Sequence, residues 1–205
     1  MSTSLRRSLA SNSDVIMQPV NYDVVAPTYA RRYERNRYAG VRAALRRFVD
    51  SAPGAAVAEV GCGTGHWLAE LSASGGHSLV GLDRSPRMLE RAHAAAPNAR
   101  LVRGTADQLC WVDACLDRVF CVNALHHFPD QQAFLSECRR VLRPGGGLLT
   151  IGLDPLCGDD EWWVYDVFPA ALRADRQRYA SAATIRDLAL RGWLSRARHR
   201  SGRAL

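Results

Sequence analysis

Alternate glycines and two acids stand where two apolar runs of this sequence end. The glycines follow the run 57–60 and are Gly61, Gly63 and Gly65. Glu59 lies within that run, and Asp83 ends the second run, LVGLD. Glycine has no Cβ, so a glycine loop between a strand and a helix lets backbone N–H groups approach a ligand closely. We therefore expect a small molecule to bind where the two runs end.

The spacing of the glycines departs from the dinucleotide-binding fingerprint, because no glycine stands three positions after Gly63 or Gly65. That fingerprint brings a pyrophosphate against a helix N-terminus, so its absence favours a ligand without phosphate. An acid at the first strand end can receive an ammonium group, and an acid one strand later can accept hydrogen bonds from two ribose hydroxyls. Glu59 and Asp83 supply these acids. S-adenosylmethionine carries an amino group, a ribose and an adenine but no phosphate, so it matches the pair.

With these residues, the sequence resembles the class I S-adenosylmethionine-dependent methyltransferases over roughly residues 22–152. Within them it is similar to the small stand-alone methyltransferase domain family of the type 11 kind, which has ExGCGTG as its first motif. The resemblance implies a transferase that uses S-adenosyl-L-methionine for methylation and is built on a doubly wound, Rossmann-like α/β sheet. The leading function is in-line methyl transfer to a small molecule, with an apolar or aromatic compound as the leading acceptor.

The resemblance also implies which residues bind the cofactor. Backbone groups of the glycine loop hold its methionyl part, and Asn123 faces the acceptor at the end of the fourth predicted strand. Ala106 and Asp107 reach the adenine edge. Tyr22 and Tyr29 belong to a lid segment, for which aromatic packing on the domain is the alternative. The cofactor-binding residues implied in this way are Tyr29, Glu59, Gly61, Cys62, Gly63, Gly65, Asp83, Arg84, Met88, Ala106, Asp107 and Asn123.

The sequence suggests that catalysis relies on alignment of the acceptor with the methyl group and on one candidate base. Methyl transfer from a sulfonium can proceed largely by alignment of the nucleophile, and many acceptors need no base. For a hydroxyl acceptor a base is useful, and His126 or His127 follows the fourth predicted strand near the methyl group. We take His126 as the candidate base, with a structural or substrate-orienting role as the alternative. No metal site is expected, because none of the six cysteines has CxxC spacing or a histidine at ligand spacing.

Strand and helix patterns alternate from residue 55 onward, and five strands separated by helices predict a parallel sheet, with residues 143–147 as the turn into its fifth strand. In such sheets ligands bind outside the C-terminal ends of the strands, where the candidate acids and Asn123 stand. The family's sheet ends in an antiparallel hairpin, but the arginine-rich end of this chain lacks the alternation of such strands. We therefore expect the hairpin to be missing and the edge of the fifth strand to be exposed, which offers a surface for oligomerisation.

The sequence divides into five predicted segments. They are a flexible N-terminus (1–18), N-terminal lid helices (19–53), an S-adenosylmethionine-binding core (54–152), an acceptor-binding segment with the last helix (153–193) and an arginine-rich tail (194–205). Four aromatic residues of the fourth segment either wall an acceptor pocket or form a packed helix face. They are Trp162, Trp163, Tyr165 and Phe168.

The composition fits one domain, because a chain of 205 residues with 47% hydrophobic content can bury a sizeable core. No apolar run is long enough to cross a bilayer and no signal peptide is evident, so we expect a cytoplasmic protein without a membrane partner. The net charge of +7 comes from 27 arginines with no lysine, which raises nucleic acid as a partner, although arginine runs are more often solvated faces. Two alternatives to the small-molecule enzyme stay open: an RNA methyltransferase, and a truncated, non-catalytic relative that serves as an interaction module.

Overall fold

Five strands form one parallel sheet in this protein. They are β1 (Ala56–Val60), β2 (Ser78–Asp83), β3 (Arg100–Arg103), β4 (Leu116–Val122) and β5 (Leu142–Ile151), arranged in the order β3-β2-β1-β4-β5. The computed structural model describes residues 21–35, 38–157 and 164–200. The predicted N-terminal segment 1–18 lies outside these residues, as do the side chains of the predicted tail. The expected α/β fold with a parallel sheet is confirmed.

Helices precede, separate and follow the strands. They are α1 (Tyr22–Tyr29), α2 (Arg31–Arg35), α3 (Ala39–Asp50), α4 (His66–Ser72), α5 (Pro86–Ala95), α6 (Gln131–Val141), α7 (Val164–Val167), α8 (Pro169–Arg178) and α9 (Ala182–Arg200). A short 3-10 turn, Leu125–His127, follows β4. In the part of the chain that the structure describes, none of the helices combines the length and apolar character needed to cross a membrane.

The sheet separates two apolar cores, and β4 contributes to both. Val119 and Cys121 belong to the core beside α6, whereas Phe120 and Val122 belong to the core beside α3 and α4. All four side chains are buried. A strand that is buried on both faces reads as a continuous apolar run, which is why β4 lacks the alternation of a half-exposed strand.

The order of the strands reverses around β1. This strand pairs with β2 on one side and with β4 on the other, although β4 comes three strands later in the chain. Open α/β sheets bind ligands at such a reversal, in the crevice outside the C-terminal ends of the strands. The fold therefore directs attention to the loops that follow β1, β2 and β4.

The helices α5 and α6, which follow β2 and β4, begin at side-chain caps. Ser85 Oγ accepts a hydrogen bond of 3.1 Å from the Met88 N–H, and Pro86 occupies the first position of α5, as the sequence predicts. At α6, Asp130 Oδ1 accepts a hydrogen bond of 2.8 Å from the Ala133 N–H. Each cap satisfies a free N–H group of the first helical turn and so holds the preceding loop in place.

The chain after β4 differs in part from the expectation. Residues 143–147, predicted as a turn, belong to β5, but its pairing with β4 is interrupted there: Leu142 lies opposite Leu116, and regular pairing resumes at Gly147 opposite Arg118. After β5 the described chain is helical, with α9 packed on α6. No strand pairs with the outer edge of β5 in residues 21–35, 38–157 and 164–200.

Gly65 sets the distance between α4 and α5. It precedes α4 in a left-handed conformation with φ of +76°. A Cβ on Gly65 would lie 2.9 Å from both Cα and Cβ of Ala92, which is fully buried in α5. Gly54 has nearly the same conformation, with φ of +73°, but open space where a Cβ would lie. Gly65 is therefore required by packing as well as by backbone conformation.

We expect Gly65→Ala to lower the free energy of unfolding by about 3 kcal/mol, because overpacking adds to the strain of a left-handed backbone. The matched variant Gly54→Ala carries the backbone strain alone and should cost about 1 kcal/mol. Urea denaturation of both variants measures the difference. Equal losses in the two variants would contradict the packing role of Gly65.

Candidate functional site

A cavity of about 150 Å³, hereafter the first cavity, lies at the C-terminal ends of β1, β2 and β4. Ten of the twelve residues predicted to bind a cofactor line it: Tyr29, Glu59, Gly61, Cys62, Gly63, Asp83, Arg84, Met88, Ala106 and Asn123. The first cavity shares Tyr22, Arg84, Gly104 and Thr105 with an open groove of about 710 Å³. Cavity and groove together provide room for an extended ligand.

Two residues of the predicted set lie outside this lining. Gly65 packs against Ala92 at the start of α4. Asp107 is exposed, in a turn where Thr105 pairs with Gln108. A role of either residue in cofactor binding stays a prediction.

The glycine loop is bonded to the end of β2. The N–H groups of Gly61 and Cys62 donate to the carbonyl of Leu82, at 2.7 and 3.0 Å. The N–H of Gly63 donates to Oδ2 of Asp83 at 2.8 Å. These three N–H groups are therefore partnered within the protein. At these three positions the loop offers a ligand close approach to its backbone rather than free donors, which refines the expectation from the glycine spacing.

Asp83 is a buried acid that accepts hydrogen bonds on both carboxylate oxygens. Its Oδ1 accepts from the Ser85 N–H at 2.9 Å, and its Oδ2 accepts from the loop at Gly63. Burial raises the pKa of Asp83, while the backbone hydrogen bonds act in the opposite direction. A carboxylate oxygen can accept more than one hydrogen bond, so Asp83 retains capacity for the hydroxyls of a ribose.

Glu59 is a buried acid whose carboxylate is not fully paired. Its side chain is 1% exposed, and Oε2 makes no hydrogen bond within the residues that the structure describes. Burial, followed by the charge of Asp83, raises the pKa of Glu59 well above its usual range. A buried acid without a partner opposes folding unless a ligand compensates it. The chemistry of Glu59 therefore fits an ammonium group placed in the first cavity.

Helix α1 covers one side of the first cavity. The hydroxyl of Tyr22 is hydrogen-bonded to Nε2 of His127, and the two rings meet edge to face with their centroids 5.1 Å apart. Oδ1 of Asp23 accepts a hydrogen bond of 2.6 Å from Oγ of Ser85 at the start of α5. Tyr29, at the end of α1, lines the cavity beside Tyr22. These contacts hold α1 against the loops after β2 and β4.

A second cavity, of about 400 Å³, adjoins the first and shares Asn123 and Ala124 with it. Residues of α6, β5 and α9 form its walls. His126 lies at this cavity with its ring stacked on Tyr179, the ring centroids being 4.0 Å apart. Asn123 directly follows β4 and has a left-handed conformation with φ of +51°. The boundary between the two cavities is therefore the end of β4.

The two histidines of the 3-10 turn line different cavities, His127 the first and His126 the second. Burial, and then the charges of His127 and Arg178, lower the pKa of His126 to about 3. Burial, and then the charges of Arg178 and Arg32, lower the pKa of His127 to about 4. Both rings are neutral at pH values near 7. The sequence analysis chose His126 as the candidate base and could not place the two histidines in different cavities, because the direction of each side chain in so short a turn depends on how the turn packs.

The aromatic residues expected at an acceptor pocket line neither cavity where they are described. Tyr165 donates a hydrogen bond of 3.0 Å to Oδ2 of Asp175, and Phe168 is 58% exposed. Trp162 and Trp163 lie outside the described residues. The side chains of the arginine-rich tail, on which the RNA alternative depends, lie outside them as well.

Comparison with known proteins identifies the domain. A family model described as a methyltransferase domain matches residues 57–146. A phthiotriol/phenolphthiotriol dimycocerosates methyltransferase of Mycobacterium leprae is 34% identical over 147 residues, which cover 70% of this chain and 54% of that protein. A demethylmenaquinone methyltransferase of Lactococcus lactis is 35% identical over 117 residues, 54% of this chain and 46% of that protein. The chain spans about half the length of the curated relatives it matches.

The fold is shared with solved structures. A crystal structure of an S-adenosylmethionine-dependent methyltransferase from Thermotoga maritima superposes with a TM-score of 0.64, over 83% of this chain and 78% of that chain, at 23% identity. At this identity the likeness bears on the fold alone. The match over residues 57–146 and the relatives show that the chain contains a region similar to methyltransferase domains, and the parallel sheet gives this region the fold of the class I S-adenosylmethionine-dependent methyltransferases.

Proposed function

We propose that this chain transfers a methyl group from S-adenosylmethionine to a small molecule. The observation that carries the proposal is the meeting of the two cavities at Asn123 and Ala124. The first cavity has the acids that suit the cofactor, and the adjoining second cavity has space for an acceptor. The relatives named for phthiotriol compounds and for demethylmenaquinone support a small, apolar acceptor rather than a nucleic acid.

Two acids and the glycine loop would hold the cofactor. The carboxylate of Glu59 would receive the ammonium group, because it is buried and Oε2 has no partner among the described residues. The carboxylate of Asp83 would accept hydrogen bonds from the ribose hydroxyls while keeping its bond to Gly63. Charge-assisted hydrogen bonds of this kind are stronger than neutral ones. Arg84 and Met88, which line the same cavity, would pack beside the nucleoside.

Alignment of the acceptor would account for much of the rate. When bound, S-adenosylmethionine supplies an electrophilic methyl group on a sulfonium. The protein contributes by holding the acceptor atom in line with that group, which converts an encounter of two molecules into a step within one complex. The backbone at Asn123 and Ala124, shared by both cavities, is suited to this positioning.

We propose that His126 orients the acceptor. A general base works best when its pKa lies near the working pH, and the pKa of His126 is lowered to about 3. Such a ring accepts a proton poorly near pH 7. Its stacking on Tyr179 instead provides a flat, neutral wall beside the boundary of the two cavities. This assignment selects the substrate-orienting role from the two that the sequence left open.

We expect Asp83→Asn to weaken binding of S-adenosylhomocysteine by about tenfold or more, because a hydrogen bond to a charged acceptor is replaced by a weaker one. Isothermal titration calorimetry measures the dissociation constant. Asp187→Asn, which removes an exposed carboxylate of α9 outside both cavities, serves as the matched control and should bind as the unmodified protein does. Unchanged binding in Asp83→Asn would rule out the cofactor role of this acid.

We expect Glu59→Gln to stabilise the protein while it weakens binding of S-adenosylhomocysteine by about tenfold or more. The raised pKa of Glu59 means that, above the ordinary value of 4.5, the unfolded chain releases a proton that the folded protein retains. Stability is therefore lost as the pH rises above about 4.5, and the variant lacks this loss.

Urea denaturation at about pH 5 and about pH 8 measures the stability difference between Glu59→Gln and the unmodified protein, which should be larger at the higher pH. Calorimetry measures the affinity for S-adenosylhomocysteine in parallel. A variant that is less stable at both pH values, with unchanged affinity, would show that Glu59 has a structural role only.

A further inference from the structure

We propose that the second cavity is a binding site for a long, unbranched apolar chain carried by the acceptor. This inference rests on the proposed function, since it describes what the methyl acceptor looks like away from the methylated atom. It is supported by the length of the cavity walls, by their aliphatic side chains, and by the hydrogen bonds that several of their polar groups make within the protein.

The second cavity follows β5 along one wall and α9 along another. Along β5 it extends from Leu148 to Gly152, which corresponds to about 13 Å of strand. Along α9 it extends from Ala182 to Leu190, which corresponds to about 12 Å of helix. A chain laid between these two walls therefore has a path of about 12 Å along them.

The walls of the second cavity are mainly aliphatic. Leu125 and Leu135 are buried members of the core beside α6. Leu148 of β5, with Ile185 and Ala189 of α9, packs against that core but is only partly buried. A chain placed in the cavity would cover these three side chains. The gain in affinity is then proportional to the apolar area that is removed from water.

Several polar groups at the second cavity are engaged within the protein. Asp154 accepts hydrogen bonds from the N–H groups of Leu156 and Ala182, at 3.0 and 2.8 Å. Gln131 donates to the carbonyl of Leu125 at 3.4 Å. An apolar chain can therefore enter without depriving these groups of their partners, which would otherwise cost free energy. At the end of the second cavity where His126 and Asn123 lie, the methylated part of the acceptor would be next to the first cavity.

The first test uses the protein saturated with S-adenosylhomocysteine and titrated with n-hexanol, n-octanol and n-decanol. We expect the dissociation constant to fall by roughly tenfold for every two added methylene groups, since each buried methylene contributes a similar free energy. Calorimetry measures the three constants. Binding that is independent of chain length, or absent for all three alcohols, would overturn the proposal.

The second test fills the cavity. We expect Ala189→Trp to weaken n-decanol binding at least about tenfold by occupying the space of the chain, while affinity for S-adenosylhomocysteine stays unchanged because Ala189 lies outside the first cavity. Ala189→Leu fills less space and should shift the preference from n-decanol to n-octanol. The matched control Ala183→Trp adds the same ring at an exposed position of α9 and should bind as the unmodified protein does.

The outcomes separate the two proposals. If the unmodified protein does not bind S-adenosylhomocysteine, the proposed function is refuted. If it binds S-adenosylhomocysteine but none of the three alcohols, only the chain site is refuted. Equal effects of Ala189→Trp and Ala183→Trp would place the chain elsewhere. Thermal unfolding of each variant shows whether it is folded. If Ala189→Trp does not fold, Ala189→Leu, which adds less volume, still tests the site.

Discussion

The carboxylate of Asp83 is the contact on which the geometry of the site depends. It accepts one hydrogen bond from Gly63 in the glycine loop and another from Ser85 at the start of α5. Ser85 in turn caps α5 at Met88 and donates to Asp23 of α1. A single acid at the end of β2 therefore connects the loop after β1, the helix after β2 and the helix that covers the first cavity. Because charge-assisted hydrogen bonds are strong and directional, this connection also limits how far the three elements can move apart.

Placing two acids in one buried site opposes folding, and the two are compensated differently. Burial raises the pKa of both Glu59 and Asp83, and the charge of Asp83 adds to the shift at Glu59. Backbone N–H groups stabilise the carboxylate of Asp83, whereas Oε2 of Glu59 has no partner among the described residues. A departure from full pairing of buried groups is typical of functional sites. Under the proposed function, the ammonium group of the cofactor supplies the missing partner.

The end of β4 divides the site into two parts with different chemistry. The left-handed backbone at Asn123 stops the strand, and the turn after it sends His127 to the acidic first cavity and His126 to the aliphatic second cavity. Burial beside arginines keeps both rings neutral, so neither is suited to store a proton near pH 7. Under the proposed function, the chemistry at this boundary is therefore alignment of the acceptor with the methyl group rather than proton transfer.

The sequence by itself determined the features that depend on neighbouring residues. The strand β2, the cap at Ser85 and the acids at two strand ends could be predicted because each follows from local apolar patterns, turn residues and capping chemistry. Since parallel strands end at the same edge of the sheet, ten of the twelve predicted residues meet at one cavity. The domain type followed from the order of these same motifs.

Only the tertiary structure decided the features that depend on contacts between distant segments. The exposure of Asp107, the assignment of His126 and His127 to different cavities and the register shift of β5 are set by packing between segments far apart in the chain. The second cavity likewise exists because α9 packs on α6 beside β5, although no local pattern in α9 specifies that neighbour. Residue spacing encodes local geometry, whereas the direction of a side chain and the space beside it follow from what the fold places next to it.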